Sequence, residues 1–131
     1  MKRILFIIFT IMMWATLAFG GTHRVYTNTS ATAIAVSYTA FDSVVIKQVV
    51  VHFSTAPTTS ENIVFTLDSN AGAAYDTVVY TGDPSASAVT SLVWVPADGA
   101  LVLVYGDELD IEYTNTDTRT IGISVYYEVG R

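Results

Sequence analysis

From Gly21 onward, apolar and polar residues alternate in short runs that are rich in Val, Ile, Thr and Tyr. The longest run, residues 44–53, is dense in β-branched side chains and lacks Gly and Pro, so it predicts a central strand. The period of two places Val49, Val51 and Phe53 on one face, and the polar side chains lie on the other. The same pattern, interrupted by Asn, Asp, Gly and Pro, predicts nine strands, at residues 23–28, 33–40, 43–54, 62–68, 76–81, 89–95, 100–104, 108–115 and 120–129.

Eight or nine short strands without helical spacing are typical of an all-β fold. We expect one domain over residues 21–131, an antiparallel β-sandwich that is jelly-roll-like, with a barrel as the less favoured architecture. Because alternate side chains of a strand point to opposite faces, the large apolar residues at every second position are assigned to the interior of this domain. The predicted inward residues are Ile63, Phe65, Leu67, Leu92, Trp94, Leu101, Leu103, Leu109, Ile111, Tyr113, Ile121, Ile123, Val125 and Tyr127.

Residues 1–20 have a different pattern from the rest of the chain. A basic start, Lys2 and Arg3, precedes the apolar run 4–19, and small residues stand before a cleavage point at Gly21. This predicts a hydrophobic helix that serves as a secretory signal peptide. The expected location is therefore exported: periplasmic, cell-surface or extracellular. If the leader is retained, it serves as an anchor that tethers the domain to a membrane.

The charge and the cysteine count narrow the range of partners. The chain has a net charge of −6, and without residues 1–20 it has four basic and twelve acidic residues, a charge of −8. Nucleic acid and anionic membrane surfaces are excluded as expected partners, because both require Lys and Arg. The absence of Cys excludes thiol catalysis, cysteine zinc sites and iron–sulfur clusters.

Residues 106–117 are the sharpest local feature, because carboxylates recur along a predicted strand and its two turns. Like charges at this spacing repel one another, so these carboxylates are expected to face solvent, a basic side chain or a cation. Carboxylate and amide oxygens are ligands that calcium prefers, although the run matches no EF-hand loop. A solvated outer face is the favoured interpretation, and calcium is the one cofactor considered. The candidate calcium ligands are Asp107, Asp110, Asn115 and Asp117.

Enzymatic motifs are missing from the sequence. There is no Walker loop, no Gly-x-Gly-x-x-Gly and no Gly-x-Ser-x-Gly. The two histidines are His23, close to the leader, and His52, in the middle of a strand, so three histidine ligands are not available for a metal. We therefore expect no enzymatic activity, and a hydrolase is the weakest of the three functional classes considered.

Apolar side chains also fall on outward positions of the predicted strands. If they cluster, they form a surface for assembly with a second copy, whereas scattered ones are normal. The alternative function belongs to a different class. Exposed tyrosine rings near acidic residues are typical of a glycan-binding surface, with or without calcium. The candidate interface or ligand residues are Val50, Tyr105 and Tyr126.

Residues 44–129 contain a set of motifs: Val49 to Glu61, Thr66-Leu67-Asp68, Ala71 to Asp76, Leu92-Val93-Trp94, Gly106-Asp107 and Tyr113 to Thr120. These motifs resemble those of small, uncharacterised β-sandwich proteins found near tailed-phage structural genes and in metagenomes. The resemblance implies a non-enzymatic, oligomeric structural role and assigns no site residues. We therefore predict an exported structural module, a surface, filament or phage-particle-like subunit, with a carbohydrate-binding module as the alternative.

Overall fold

The computed structural model describes residues 21–29 and 32–130 and contains nine strands in this part of the chain. The predicted leader helix, residues 1–20, lies outside the described residues. In the described part, no helix has the length and apolar character needed to cross a membrane. The strands are β1 His23–Thr29, β2 Ile34–Thr39, β3 Val44–Phe53, β4 Ile63–Asp68, β5 Thr77–Gly82, β6 Ser91–Trp94, β7 Leu101–Leu103, β8 Glu108–Tyr113 and β9 Ile121–Val129.

The strands form two antiparallel sheets. Sheet A has the order β1-β9-β3, and β6 and β7 together occupy the far side of β3. There, β6 pairs with residues 49–52 of β3 and β7 with residues 44–46. Sheet B has the order β2-β8-β4-β5. The all-β prediction is confirmed, and each predicted strand is found to within two residues at either end.

Strand β3 is central to sheet A, as its composition predicts. Val49, Val51 and Phe53 are completely buried, so the predicted inward face is confirmed. The pairing of β3 with β9 shifts its register between Ile46 and Gln48, which marks a β-bulge. Because the bulge adds one residue, Ile46 and Val49 both point inward although they are three residues apart. Simple alternation does not predict this change of face.

The two sheets face each other across one core of buried side chains. Aromatic rings contact each other across the two sheets. The ring centroids of Phe53 in sheet A and Tyr113 in sheet B are 5.7 Å apart, and those of Phe65 in sheet B and Trp94 in sheet A are 5.4 Å apart. This arrangement is a β-sandwich. Of the fourteen predicted inward residues, Leu67, Leu101 and Tyr127 are half-buried at the margin of the core, and the others are buried.

The loops gather at two opposite ends of the sandwich, because the strands are antiparallel. We call residues 40–43, 69–76 and 104–107 the first loop end. These segments follow β2, β4 and β7, and cross-strand pairs such as Thr39 with Glu108 place them together. We call residues 54–62, 83–90 and 114–120 the second loop end. The candidate site residues are divided between these two ends and the two outer faces of the sheets.

Candidate functional site

The outer face of sheet B is acidic. Carboxylate oxygens of Asp68, Glu108 and Asp110 lie within 4.8 Å of one another. The Ser37 hydroxyl donates a hydrogen bond to Asp110 (2.5 Å), and the Thr39 hydroxyl donates one to Glu108 (2.9 Å). The negative charge of Asp76 is the main cause that raises the pKa of Asp68, and partial burial and the charges of Asp110 and Glu108 add to it.

The four candidate calcium ligands are not brought together. Asp107 lies before β8, whereas Asn115 and Asp117 lie beyond its other end. The six residues of β8 separate them by about 20 Å, at about 3.3 Å per residue, so one ion does not bridge them. Asp110 joins Asp68 and Glu108 instead. Asp68 was missed because its neighbours come from the pairing of β4 with β8, which a single sequence does not reveal.

Asp107 holds the first loop end together. Its side chain is buried and accepts hydrogen bonds from the backbone N–H groups of Val104 and Asn70, both at 3.0 Å. Its backbone carbonyl accepts the N–H of Ala40 at 2.8 Å. Gly106, at φ +87°, makes the turn that permits these contacts, as the sequence predicts. The Asp107 carboxylate is therefore engaged in hydrogen bonds with backbone N–H groups.

Asn115 has the equivalent role at the second loop end. Its side chain is 2% exposed, and its backbone adopts φ +56°, a conformation that Asn tolerates. The side-chain amide donates to the carbonyls of Thr32 and Arg119, and its oxygen accepts the N–H of Arg119, all at 2.9 Å. The prediction of a turn at this position is confirmed.

Asp117 connects two loops of the second loop end. Its carboxylate accepts hydrogen bonds from the backbone N–H groups of Thr58 and Thr59 and from the Thr59 hydroxyl (2.6 Å). Arg119 lies 3.9 Å away. The backbone hydrogen bond from Thr58 is the largest cause that lowers the pKa of Asp117, since these donors favour its charged form.

Acid sensitivity follows from Asp117. A carboxyl group whose pKa is lower in the folded than in the unfolded protein stabilises the fold at pH values above its unfolded pKa, about 3.9. This stabilisation is lost progressively as the pH falls below that value. We expect Asp117→Asn to be less stable than the wild type at pH 7 and to lose less stability on acidification. Urea unfolding at pH 7, 5, 4 and 3 measures this. Asp98→Asn, at an exposed position, is the matched control. An unchanged acid profile in Asp117→Asn contradicts the expectation.

The outer face of sheet A is apolar along its β6–β7 edge. Val93, Val95, Val102 and Val104 are each more than half exposed. On the neighbouring strand, half-buried Val50 pairs with Val93. Residues 91–104 contain one charged side chain, Asp98.

Two of the three predicted interface residues belong to this apolar face. Val50 and Tyr126 lie on the outer side of adjacent strands β3 and β9 and are both half-buried. Tyr105 lies elsewhere, at the first loop end, with 73% of its surface exposed. Alternation also places Val93 and Val102 on outward faces, whereas Val95 and Val104 were missed, although the run 91–104 contains one charged residue.

An apolar groove lies beside the valines, on the open side of the sandwich between β5 and β6–β7. Its volume is about 210 Å³. Tyr80 and Trp94 lie close to it, with ring centroids 6.2 Å apart. The groove is lined by Val79, Trp94, Pro96, Ala97, Ala100 and Leu101.

A serine–histidine pair occurs on sheet A. His52 Nδ1 lies 2.9 Å from Ser91 Oγ, across the β3–β6 ladder. Both residues are exposed on the open sheet. Within residues 21–29 and 32–130, no carboxylate is hydrogen-bonded to His52, so the third group that orients a catalytic imidazole is not in place there. The pair is better explained as a polar cross-strand contact.

Comparison with protein-family models and with curated proteins finds no match for this chain. The fold and the surfaces define the class of protein only as an all-β chain of two antiparallel sheets. One outer face carries an acidic cluster, and the other is apolar along its β6–β7 edge. The resemblance to phage-associated sandwich proteins remains a prediction.

Proposed function

We propose that this protein is a non-enzymatic structural module that assembles with copies of itself through the outer face of sheet A. The observation that carries the proposal is the row of four valines on β6, β7 and the residues just after them, each more than half exposed. Contiguous exposed apolar surface of this kind marks interaction sites in soluble proteins.

The distribution of charge supports this face over the opposite one. The outer face of sheet B carries Asp68, Glu108 and Asp110 in close contact. On sheet A, Lys47 and Glu128 form an ion pair at 3.3 Å and neutralise each other. Two copies that meet through sheet A therefore keep their acidic faces apart, and interface centres are typically depleted of charge.

The size of the face predicts weak pairwise association. With ten residues along β3 and four strand positions, sheet A presents about 30 Å by about 15–20 Å, roughly 500 Å² in projection. A standard interface buries about 800 Å² per partner. We therefore expect association that depends strongly on concentration.

The jelly-roll topology that the sequence predicts is also part of this proposal. If β6 and β7 are counted as one interrupted strand, the strand order is 1-8-3-6 in one sheet and 2-7-4-5 in the other. On this basis we propose that the sandwich is a jelly roll, a fold that supplies subunits to capsids and other assemblies. Export through the predicted leader, at residues 1–20, and a surface, filament or particle role are consistent with such a subunit.

A charged residue on the valine row tests the proposal. We expect Val93→Glu and Val102→Glu to weaken self-association by roughly tenfold or more, because a carboxylate is desolvated in the apposed faces. Light scattering coupled to size exclusion over a dilution series measures this. Val78→Glu is the matched control, since Val78 is equally exposed but lies on sheet B. A wild-type protein that is monomeric at every concentration contradicts the proposal.

A further inference from the structure

The aromatic side chains with the greatest exposure lie at the first loop end. Within the described residues, the large aromatic rings that are more than half exposed are Phe41 (58%), Tyr75 (65%) and Tyr105 (73%). Each lies on a different loop: Phe41 follows β2, Tyr75 precedes β5 and Tyr105 precedes β8. None of them is on the valine row used in the proposed function.

Hydrogen bonds fix these three loops side by side. The Gly106 N–H donates to the carbonyl of Ala40 at 2.9 Å, so the backbones of the Phe41 and Tyr105 loops lie side by side. The Phe41 ring meets Tyr127 edge-on, with centroids 6.2 Å apart, and remains more than half exposed. Asp107 binds the N–H of Asn70, and the Ser69 N–H donates to Asp76, the neighbour of Tyr75, at 3.0 Å. The rings therefore stand on a cross-linked support.

The order of the strands sets the spacing of this support. Sheet B runs β2-β8-β4-β5, so the loops of Phe41 and Tyr75 lie at the two outer strands and Tyr105 precedes an inner one. At about 4.8 Å between strands, the row is about 14 Å wide. Asp68 and Glu108 lie along the same edge, paired across β4 and β8.

We propose that the first loop end is a binding site for a neutral glycan. The apolar faces of sugar rings stack on Phe41, Tyr75 and Tyr105, and the adjacent carboxylates of Asp68 and Glu108 accept hydrogen bonds from sugar hydroxyls. A second copy of this chain is a poor occupant, because the same carboxylates would face each other. Anionic polymers are disfavoured for the same reason.

The three rings lie in separate parts of the sequence. Alternation leaves Tyr75, Tyr105 and Tyr126 as the tyrosines expected to be exposed, whereas Phe41 was not predicted. Tyr126 is half-buried on sheet A. Because Tyr126 also lies on the proposed assembly face, the control variant is Asn62→Ala instead, at an exposed position of the second loop end.

Binding to immobilised and soluble polysaccharides tests the site. The probes are a β-glucan, a mannan and a galactan, each neutral, measured in a chelator on the full-length protein by affinity electrophoresis and calorimetry. We expect the wild type to bind at least one of them, and Tyr105→Ala and Tyr75→Ala each to weaken binding about tenfold. Asn62→Ala is expected to bind like the wild type, because it lies at the opposite loop end. Circular dichroism verifies that each variant is folded.

Three results overturn the proposal. The first is the absence of binding to every neutral polysaccharide. The second is binding that Asn62→Ala weakens as much as Tyr105→Ala does. The third is binding that appears only when calcium replaces the chelator, because the carboxylates then hold an ion rather than sugar hydroxyls. Repeating the measurement with Val93→Glu separates glycan binding from self-association.

Discussion

Replacing Phe65 with alanine is expected to lower the free energy of unfolding by about 3–5 kcal/mol. Phe65 is completely buried, and its ring lies 5.4 Å from Trp94 and 5.0 Å from Tyr80. Three rings from three strands meet there, so the cavity left by the substitution cannot close without movement of both sheets. A domain of this size has about 5–15 kcal/mol of stability in total.

Urea denaturation followed by tryptophan fluorescence measures this loss, since Trp94 is one of the neighbours. Phe41→Ala is the matched control, because it removes the same ring from a position that is 58% exposed. Its expected cost is within about 1 kcal/mol. Equal losses for the two variants would contradict the placement of Phe65 between the sheets.

The second large effect is expected for Asn115→Asp, a change of nearly equal size. The amide of Asn115 donates to two backbone carbonyls, those of Thr32 and Arg119. A carboxylate at the same place donates nothing and faces both oxygens while buried. We expect a loss of about 3 kcal/mol at pH 7. The backbone conformation is not the cause, because Asp and Asn both tolerate positive φ.

The pH dependence of this variant distinguishes electrostatics from packing. Burial raises the pKa of the introduced carboxyl above its unfolded value of about 3.9. The penalty is therefore present at neutral pH and shrinks as the pH falls, when the acid is protonated. Chemical denaturation of Asn115→Asp and of the exposed control Asn62→Asp at pH 7 and pH 4 measures this. A deficit that grows on acidification would contradict the argument.

Stability and surface function are separable in this protein. Phe65 and Asn115 act inside the fold, whereas the valine row and the exposed rings contribute little to the core. Variants of Val93, Val102, Tyr75 and Tyr105 are therefore suitable for functional tests, because exposed substitutions usually change stability by less than about 0.5 kcal/mol.

Much of the fold was accessible to sequence analysis. The run 44–53 predicts a strand because β-branched residues fit a pleated, half-buried surface, and the structure confirms it. The buried faces of β6 and β8, including Trp94 and Ile111, follow from the period of two. The turn at Gly106 was predicted from local backbone preference.

The candidate sites were predicted less well. The calcium hypothesis grouped Asp107 with Asn115 and Asp117 because they are close in sequence, but they lie beyond opposite ends of β8. The acidic cluster formed instead around Asp68, and Tyr105 was separated from Val50. Cross-strand neighbours depend on strand order, and nothing in the local pattern encodes that order.

What the sequence by itself determined was the set of strands and the face that each one buries, because alternation and turn residues act over a few neighbouring positions. The tertiary structure alone decided the bulge in β3, the division into an acidic and an apolar outer face, and the row of exposed rings at the first loop end. These features join residues far apart in the chain, and their contacts exist only once the two sheets have formed.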